Sequence, residues 1–473
     1  MDNSKSMTDV KITINHEPRG KGRTIASKLV ESIHSLAIEE PNFQANLMNK
    51  VATTANLKLA FKAVKRNKGA PGIDNATIKQ IETNLDEHLQ LLHASLLDGS
   101  YRPMAVRGVK IPKKDGKLRQ LGIPTVIDRM VQQAIAQVLS PIFDPTFSNS
   151  SYGFRPKRSA HDAVKAASAF VKEGRNWVVD IDLEQFFDNV NHDKLMSTLA
   201  KTIKDKALLK LIRRCLTAGL MQDGLVQARG QGTPQGGPLS PLLSNIALAD
   251  LDSELERRGH KFCRYADDCN IYVQSKSAAQ RVMKSITQFI QVRLKLKVNS
   301  TKSAADKVAK RQFLGFRLYN DGKIAISKAS LTKFKDTIRK LSKRNRGISL
   351  NKMVLELNQV ARGWFHYFKL AEHPTILKEL DCWIRRRLRC YRIKQRKRKY
   401  SIKTMLSSMG ESQQDSWAIA ASRQGWWGKS LNQVVHRAMG LKWFKELGLF
   451  ALHEQFVNHK SKTAVCDNAR TVV

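Results

Sequence analysis

The sequence is poor in cysteine. Six occur in 473 residues, Cys215, Cys263, Cys269, Cys382, Cys390 and Cys466, and no two are spaced Cys-x-x-Cys. That excludes a zinc knuckle or a dithiol redox motif, and six in so long a chain are too few for a disulfide scaffold. Free thiols in a reducing, cytoplasmic setting are expected. No run approaches the ~20 apolar residues of a membrane span. The opening MDNSKSMTDVKITINHEPRGKGR is polar, with no apolar segment of the secretory kind. Internal repeats are absent. Acids are scarce: 41 Asp and Glu stand against 82 Lys and Arg, a formal charge of +41. With 42% hydrophobic residues the chain is too apolar to be disordered. Such an excess of one sign repels itself, and a polyanion relieves it. Nucleic acid is therefore the leading partner, ahead of an anionic membrane surface.

The length suits two to four domains. Residues 1–45 read as a partly disordered leader. Ile78 to Leu97 carries apolar residues near the 3.6 period and reads as one helix, as does His192 to Ala218. Val106–Ile111 and Leu118–Leu121 flank Lys113-Lys114-Asp115-Gly116-Lys117, a hairpin signal. Trp177–Ile181 reads as a strand ending in carboxylates, and Lys261–Val273 as strand, tight turn, strand. Gln312–Leu318 reads as a further strand. Beyond about residue 325 the sequence becomes helical and basic. From Arg385 to Lys399 it runs RRRLRCYRIKQRKRK, ten basic residues of fifteen and none acidic. With Trp383 and Tyr391 in or beside it, this run is a candidate nucleic-acid contact. Arg385, Arg386, Arg387, Arg389, Arg396, Lys397 and Arg398 would carry it.

Two acidic groups stand out: Asp180-Ile181-Asp182-Leu183-Glu184 through Phe187-Asp188, and Ala266-Asp267-Asp268. Each sits at the end or turn of an apolar strand, where adjacent carboxylates repel unless a cation neutralises them. Hard Mg²⁺ suits a few carboxylates plus substrate phosphate oxygens. Two such strand ends side by side would make a two-metal site for phosphoryl or nucleotidyl transfer.

Arg264-Tyr265-Ala266-Asp267-Asp268 resembles the catalytic hairpin of reverse transcriptases. Gln231-Gly232-Thr233-Pro234-Gln235-Gly236-Gly237-Pro238-Leu239-Ser240-Pro241-Leu242-Leu243-Ser244-Asn245 resembles the block preceding it in group II intron-encoded proteins. Further blocks match in order: Lys68–Asp74, Ile111–Thr125, Tyr152-Gly153-Phe154-Arg155-Pro156, Asp182–Asp188, Asn299–Ser303, Phe313–Phe316, and Gly363–Phe368 in the maturase region. The resemblance spans roughly Leu57 to Leu449. It identifies the chain as similar to group II intron-encoded reverse transcriptase/maturases, in the branch lacking the H-N-H endonuclease module.

That resemblance implies site roles. Asp182, Asp267 and Asp268 would be catalytic and would hold two Mg²⁺ ions together with the backbone carbonyl of Leu183. Asp180 is read as a bracing carboxylate and Asp188 as a helix brace. Phe187 would sit beneath the incoming sugar and exclude a 2′-hydroxyl. Lys113, Arg119, Gln235 and Lys302 would contact the nucleotide. Phe313, Leu314 and Gly315 would hold the primer terminus. His161, His192 and His366 are read as helix-start or packing residues.

The expected fold is α+β: a right hand whose fingers and antiparallel, helix-backed palm occupy 46–322. A helical thumb/maturase domain (323–400), a small basic helical region (401–458) and a mobile tail (459–473) would follow. The expected function is RNA-directed DNA polymerisation coupled to maturase activity on the host intron RNA, leading to splicing and retrohoming. The implied partners are structured intron RNA, RNA template and DNA primer, target DNA and dNTPs, with no membrane, in a bacterial cytoplasm and at the nucleoid when acting on DNA. Rival readings are a maturase acting only as a splicing cofactor, and a domesticated reverse transcriptase in repair or defence.

Overall fold

The computed structural model describes residues 46–112, 118–222, 225–227, 230–233 and 236–470. The expected leader, Lys113 and Gln235 lie outside the described residues. Among the described residues ten strands are seen: β1 (Val106–Pro112), β2 (Leu118–Ile123), β3 (Trp177–Asp182), β4 (Leu220–Gln222), β5 (Leu225–Gln227), β6 (Lys261–Tyr265), β7 (Asp268–Val273), β8 (Ala304–Lys307), β9 (Phe316–Leu318) and β10 (Ile324–Ile326). The chain forms two compact units that interleave in sequence: Met1–Phe147 with Asn191–Ile246, and Ser148–Val190 with Ala247–Val473.

In the first unit a sheet of order β2-β1-β4-β5 accompanies a helical core. β1 and β4 pair in parallel and the other neighbours antiparallel. Leu57, Phe61, Leu89, Met130, Ile135 and Leu208 are buried. Polar residues break two of the expected helices. Asn84, at φ −115° and ψ 34°, separates Ile78–Thr83 from Leu85–Leu97. His192–Ala218 divides into His192–Thr202 and Lys206–Thr217 because Asp205 caps the second: its Oδ1 accepts from Leu208 N at 3.0 Å. Its other oxygen accepts from Met48 N at 2.7 Å, tying in the helix Leu47–Ala52. The blocks with many glycines meet. A Cβ on Gly72 would stand 2.6 Å from Thr125 Cα, and one on Gly236, at φ +126°, 2.7 Å from Gly122 O. Only glycine permits these backbone approaches.

The second unit holds an antiparallel sheet of order β6-β7-β3-β8. The helix Ala160–Lys172 covers it through Val164, Ala167, Val178, Tyr272 and Phe316. β3 is central, and its Val179 and Ile181 are fully buried. The expected strand Gln312–Leu318 is shorter: Phe313 and Phe316 exchange backbone hydrogen bonds around a tight turn, leaving only β9 extended. β9 pairs with β10. The helices Lys328–Leu341, Leu350–Phe368 and Pro374–Arg396 then pack around Phe334, Met353, Leu357, Ile384 and Leu388. Ile393, Ile402, Leu406, Val435 and Met439 form a further cluster. Residues 459–470, expected in a mobile tail, instead continue the helix Leu452–Arg470. Asp381 anchors its start, accepting from Leu452 N and His453 N at 2.9 Å each. The fold is α+β, with an antiparallel sheet backed by helices and a helical C-terminal region.

Candidate functional site

Sheet register brings the two acidic groups together. Asp182 lies opposite Asp268 and Asp180 opposite Asn270. Alternation along β3 puts Val178, Asp180 and Asp182 on one face. Tyr265 pairs with Asp268, so β6 and β7 are joined by Ala266-Asp267 alone. Ala266 takes a left-handed φ of 58°, which turns the chain sharply enough to place Asp267 and Asp268 at the end of the sheet beside Asp182.

This turn is pinned from below. Arg264 is fully buried and grips Asp252 through two hydrogen bonds of 2.6 Å. Its Nη1 donates to Ala266 O at 2.9 Å, and Nη2, shared with Asp252, also donates to Ser151 Oγ at 2.8 Å. The backbone of 150–152 runs alongside, with Arg264 N donating to Ser150 O and Tyr152 N to Arg264 O. A Cβ on Gly153 would stand 2.4 Å from Ala266 N. The block Tyr152–Pro156 thus forms the floor under the carboxylate turn.

A second link holds β3. Arg311 donates to Asp180 Oδ2 at 2.5 and 3.0 Å and to Lys302 O at 2.6 Å. Lys302 Nζ stands 3.5 Å from Asp182 Oδ2. Ser303 Oγ accepts from Asp182 N, and Asn299 N donates to Asp182 O. Asp180 is therefore a brace, as its sequence position suggested. The sequence assigned no role to Arg264, although it opens the hairpin motif, nor to Asp252 or Arg311, which no spacing marks.

The donor chemistry fits a divalent cation. Burial, then the charges of Asp180, Asp267 and Asp182, push the Asp268 carboxyl up to about 8. An ammonium group already faces Asp182. Among the described residues no three His, Cys, Asp or Glu side chains are gathered into a ready-made metal cage. A folded-state pKa above the unfolded one means that the unfolded chain releases a proton the folded form retains. The resulting loss of stability starts near pH 4, grows to about pH 8 and is complete above it. Asp268→Asn is therefore expected to stabilise the metal-free protein at pH 9, by about 1 kcal/mol or more, with little gain at pH 4. Thermal melts in chelator at the two pH values check this, and equal melting points at pH 9 would contradict it.

The other sequence-predicted residues are distributed as follows. Leu183 is buried, bridging Val298. Phe187 is half-buried, edge-on to the buried Phe186 at 5.4 Å. The backbone of Arg119 lies in β2 opposite Ile111. Leu314 and Gly315 are consecutive left-handed residues at the Phe313–Phe316 turn. Tyr367 Oη donates to Leu314 O at 3.0 Å and Ser330 Oγ to Gly315 O at 3.0 Å, while Phe313 is buried in the core. His192 Nε2 bonds Gly232 O and His161 Nε2 bonds Tyr367 O, both at 2.6 Å, in packing roles.

The basic run requires a correction. It lies largely on the helix Pro374–Arg396, and two of its arginines face inward. Arg389 is buried, donates to Met439 O at 3.0 Å and lies over the Phe444 ring. Burial, then Arg385, lower its pKa to about 10. Arg387 donates to Ser342 Oγ at 2.5 Å and lies over Trp383. The helix is buried against two apolar clusters, and these guanidiniums satisfy backbone and hydroxyl groups there. Arg386 stacks on Trp427 at 3.9 Å. Arg385 is half-buried, and Arg396, Lys397 and Arg398 are exposed.

Two family models match. The reverse transcriptase (RNA-dependent DNA polymerase) domain covers residues 111–318, and the group II intron maturase-specific domain covers 331–407. Protein YkfC of Escherichia coli (strain K12) is 32% identical over 337 residues, 62% of this chain and 88% of YkfC. The group II intron-encoded protein LtrA of Lactococcus lactis subsp. cremoris is 38% identical over 209 residues, 44% of this chain. That match spans about a third of LtrA, 34% of its length. A solved Cas6-RT-Cas1–Cas2 complex is 26% identical, over 52% of this chain and 43% of that one, with a TM-score of 0.35. The chain belongs to the group II intron-encoded reverse transcriptase/maturases, a family of RNA-directed DNA polymerases.

Proposed function

We propose that the chain extends a DNA primer on an RNA template at the Asp182–Asp267–Asp268 face, and that it binds its host intron RNA to promote splicing and retrohoming. The observation that carries the polymerase reading is the register of Asp182 against Asp268 beside the Ala266-Asp267 turn. When bound at these carboxylates and the Leu183 carbonyl, two divalent cations would activate a primer 3′-hydroxyl and neutralise the departing pyrophosphate. The chain's own residues hold the carboxylates in place. Lys302 offers an ammonium to the triphosphate, with Lys113, Arg119 and Gln235 as further nucleotide contacts. The Phe313–Gly315 turn, tethered through Tyr367, seats the primer end. In this reading 46–322 supplies fingers and palm, 323–400 the thumb and 401–458 a basic DNA-facing region.

The test is primer extension on an RNA template with the purified chain, beside binding of a transcript containing a group II intron. Extension is expected. Tight intron binding without extension would instead favour a maturase acting only in splicing. The three carboxylates present at one sheet end weigh against that alternative.

Phe187 supplies a finer test. Relieving its bulk with Phe187→Val is expected to lower the dNTP/rNTP ratio of kcat/KM at least about tenfold, since roughly 1.4 kcal/mol of steric exclusion is worth that factor. An unchanged ratio in a folded variant would make the ring part of the core only.

The inward arginines separate packing from RNA contact. Neutralising Arg396, Lys397 and Arg398 to Gln is expected to flatten the salt dependence of RNA binding by up to about one unit per lost phosphate contact, with stability unchanged. Arg389→Ala is expected to lower the melting temperature and leave that slope intact. Filter-binding salt titrations beside thermal melts check both.

A further inference from the structure

Within the second unit, away from the carboxylates and the residues tied to them, lies a cavity of about 400 Å³. The helix Ala160–Lys172 contributes Lys165 and Lys172, seven positions apart and so on one helical face. Lys369 follows the helix Leu350–Phe368, and His459 and Lys460 come from the helix Leu452–Arg470. Among the described residues on the wall, Glu372 is the one carboxylate, against four lysines. Four ammonium groups against one carboxylate give the space a positive potential, and burial, then Lys369 and Lys460, lower the His459 pKa. Much of the lining is apolar, Leu370 included.

An ammonium on a flexible stem is a point charge that accepts a phosphate from several directions, without the planar selectivity of a guanidinium. Four of them exceed what one small anion needs and suit successive phosphates of a chain. The volume falls in the range of sites that enclose one small organic group. We propose that this cavity seats one nucleotide of a bound structured RNA, its flanking phosphates on Lys165, Lys172, Lys369 and Lys460 and its sugar and base against the apolar floor. The proposal rests on the reading that the chain binds structured RNA. It adds a seat outside the polymerase face.

The experiment is lysine acetylation footprinting of the full chain, read by mass spectrometry. It is run free, with a structured transcript containing a group II intron, and with a short RNA–DNA primer–template duplex. The transcript is expected to protect these four lysines at least about fivefold. Lys165→Gln/Lys172→Gln is expected to weaken transcript binding several-fold and flatten its salt slope by about one to two units. Extension of a pre-annealed primer at saturating protein should persist, and thermal melts verify folding. Protection of other lysines with these four as reactive as in the free chain would overturn the seat and leave RNA binding standing. Protection by the duplex alone would also overturn it, assigning the cavity to the primer–template. Transcript protection of no lysine anywhere would overturn the RNA-binding reading and the seat together.

Discussion

Asp182→Asn and Asp267→Asn are each expected to remove about two to three orders of magnitude of DNA synthesis, roughly 3–4 kcal/mol of barrier. Both substitutions keep size and shape and remove a charge. Asp182 is half-exposed at the end of β3, and its backbone is held by Ser303 and Asn299 whatever its side chain. Neither variant should unfold, and intron RNA affinity should barely change. Asp180→Asn is the control. Its carboxylate faces Arg311, and an amide oxygen can keep one of those hydrogen bonds, so most activity should survive. Steady-state primer extension with all three variants decides the matter. Near-normal extension by Asp182→Asn or Asp267→Asn would remove these residues from the chemistry.

The second large effect concerns a residue that touches no substrate in this reading. Arg264→Met leaves Asp252 as a buried carboxylate without its partner, which typically costs 3–5 kcal/mol. It also removes the donor to Ala266 O. The double variant Arg264→Met/Asp252→Leu is expected to recover much of the stability, because a buried ion pair replaced by apolar side chains is often neutral. Activity should not return with it. The left-handed Ala266 would have lost the hydrogen bond at its carbonyl, and the carboxylates beyond it would no longer be fixed. Melting temperature and extension rate, measured on single and double variants, separate the two roles. Recovery of full activity in the double variant would reduce Arg264 to packing.

The site was legible where chemistry leaves a local mark. Adjacent acids at the turn of an apolar hairpin pointed to Asp267 and Asp268, and an acid ending a β-branched run pointed to Asp182. The close approach of Gly236 to Gly122 is a packing contact that no local mark in the sequence announced. What could not be read were partners far apart in sequence. Nothing near Asp252 marks it as the counter-ion of Arg264, and nothing marks Arg311 as the brace of Asp180. The basic run shows the opposite failure. Ten cations in fifteen residues look uniformly solvated, yet Arg389 is among the buried groups because its helix packs against apolar clusters on more than one side. Composition reports charge density, while tertiary packing decides which charges face water. The helix broken at Asp205 follows the same logic, since a capping side chain can end a helix whose apolar period continues, while Asn84 ends its helix through a non-helical backbone alone.

The interleaving of the two units sets a schedule for synthesis. β3 emerges with Asp182 well before β7, because the segment Asn191–Ile246 is translated between them and belongs to the other unit. At 5–20 residues per second the ribosome needs roughly 3–11 s to cover that segment. Throughout it Val178, Val179 and Ile181 lack their β7 partners, an unpaired strand of the kind chaperones shield. A nascent chain halted before Asp267 would already carry the sequence of the first unit while having no paired carboxylates. The pairing of these carboxylates therefore arrives late in translation, when the hairpin closes on a strand that has been waiting for it.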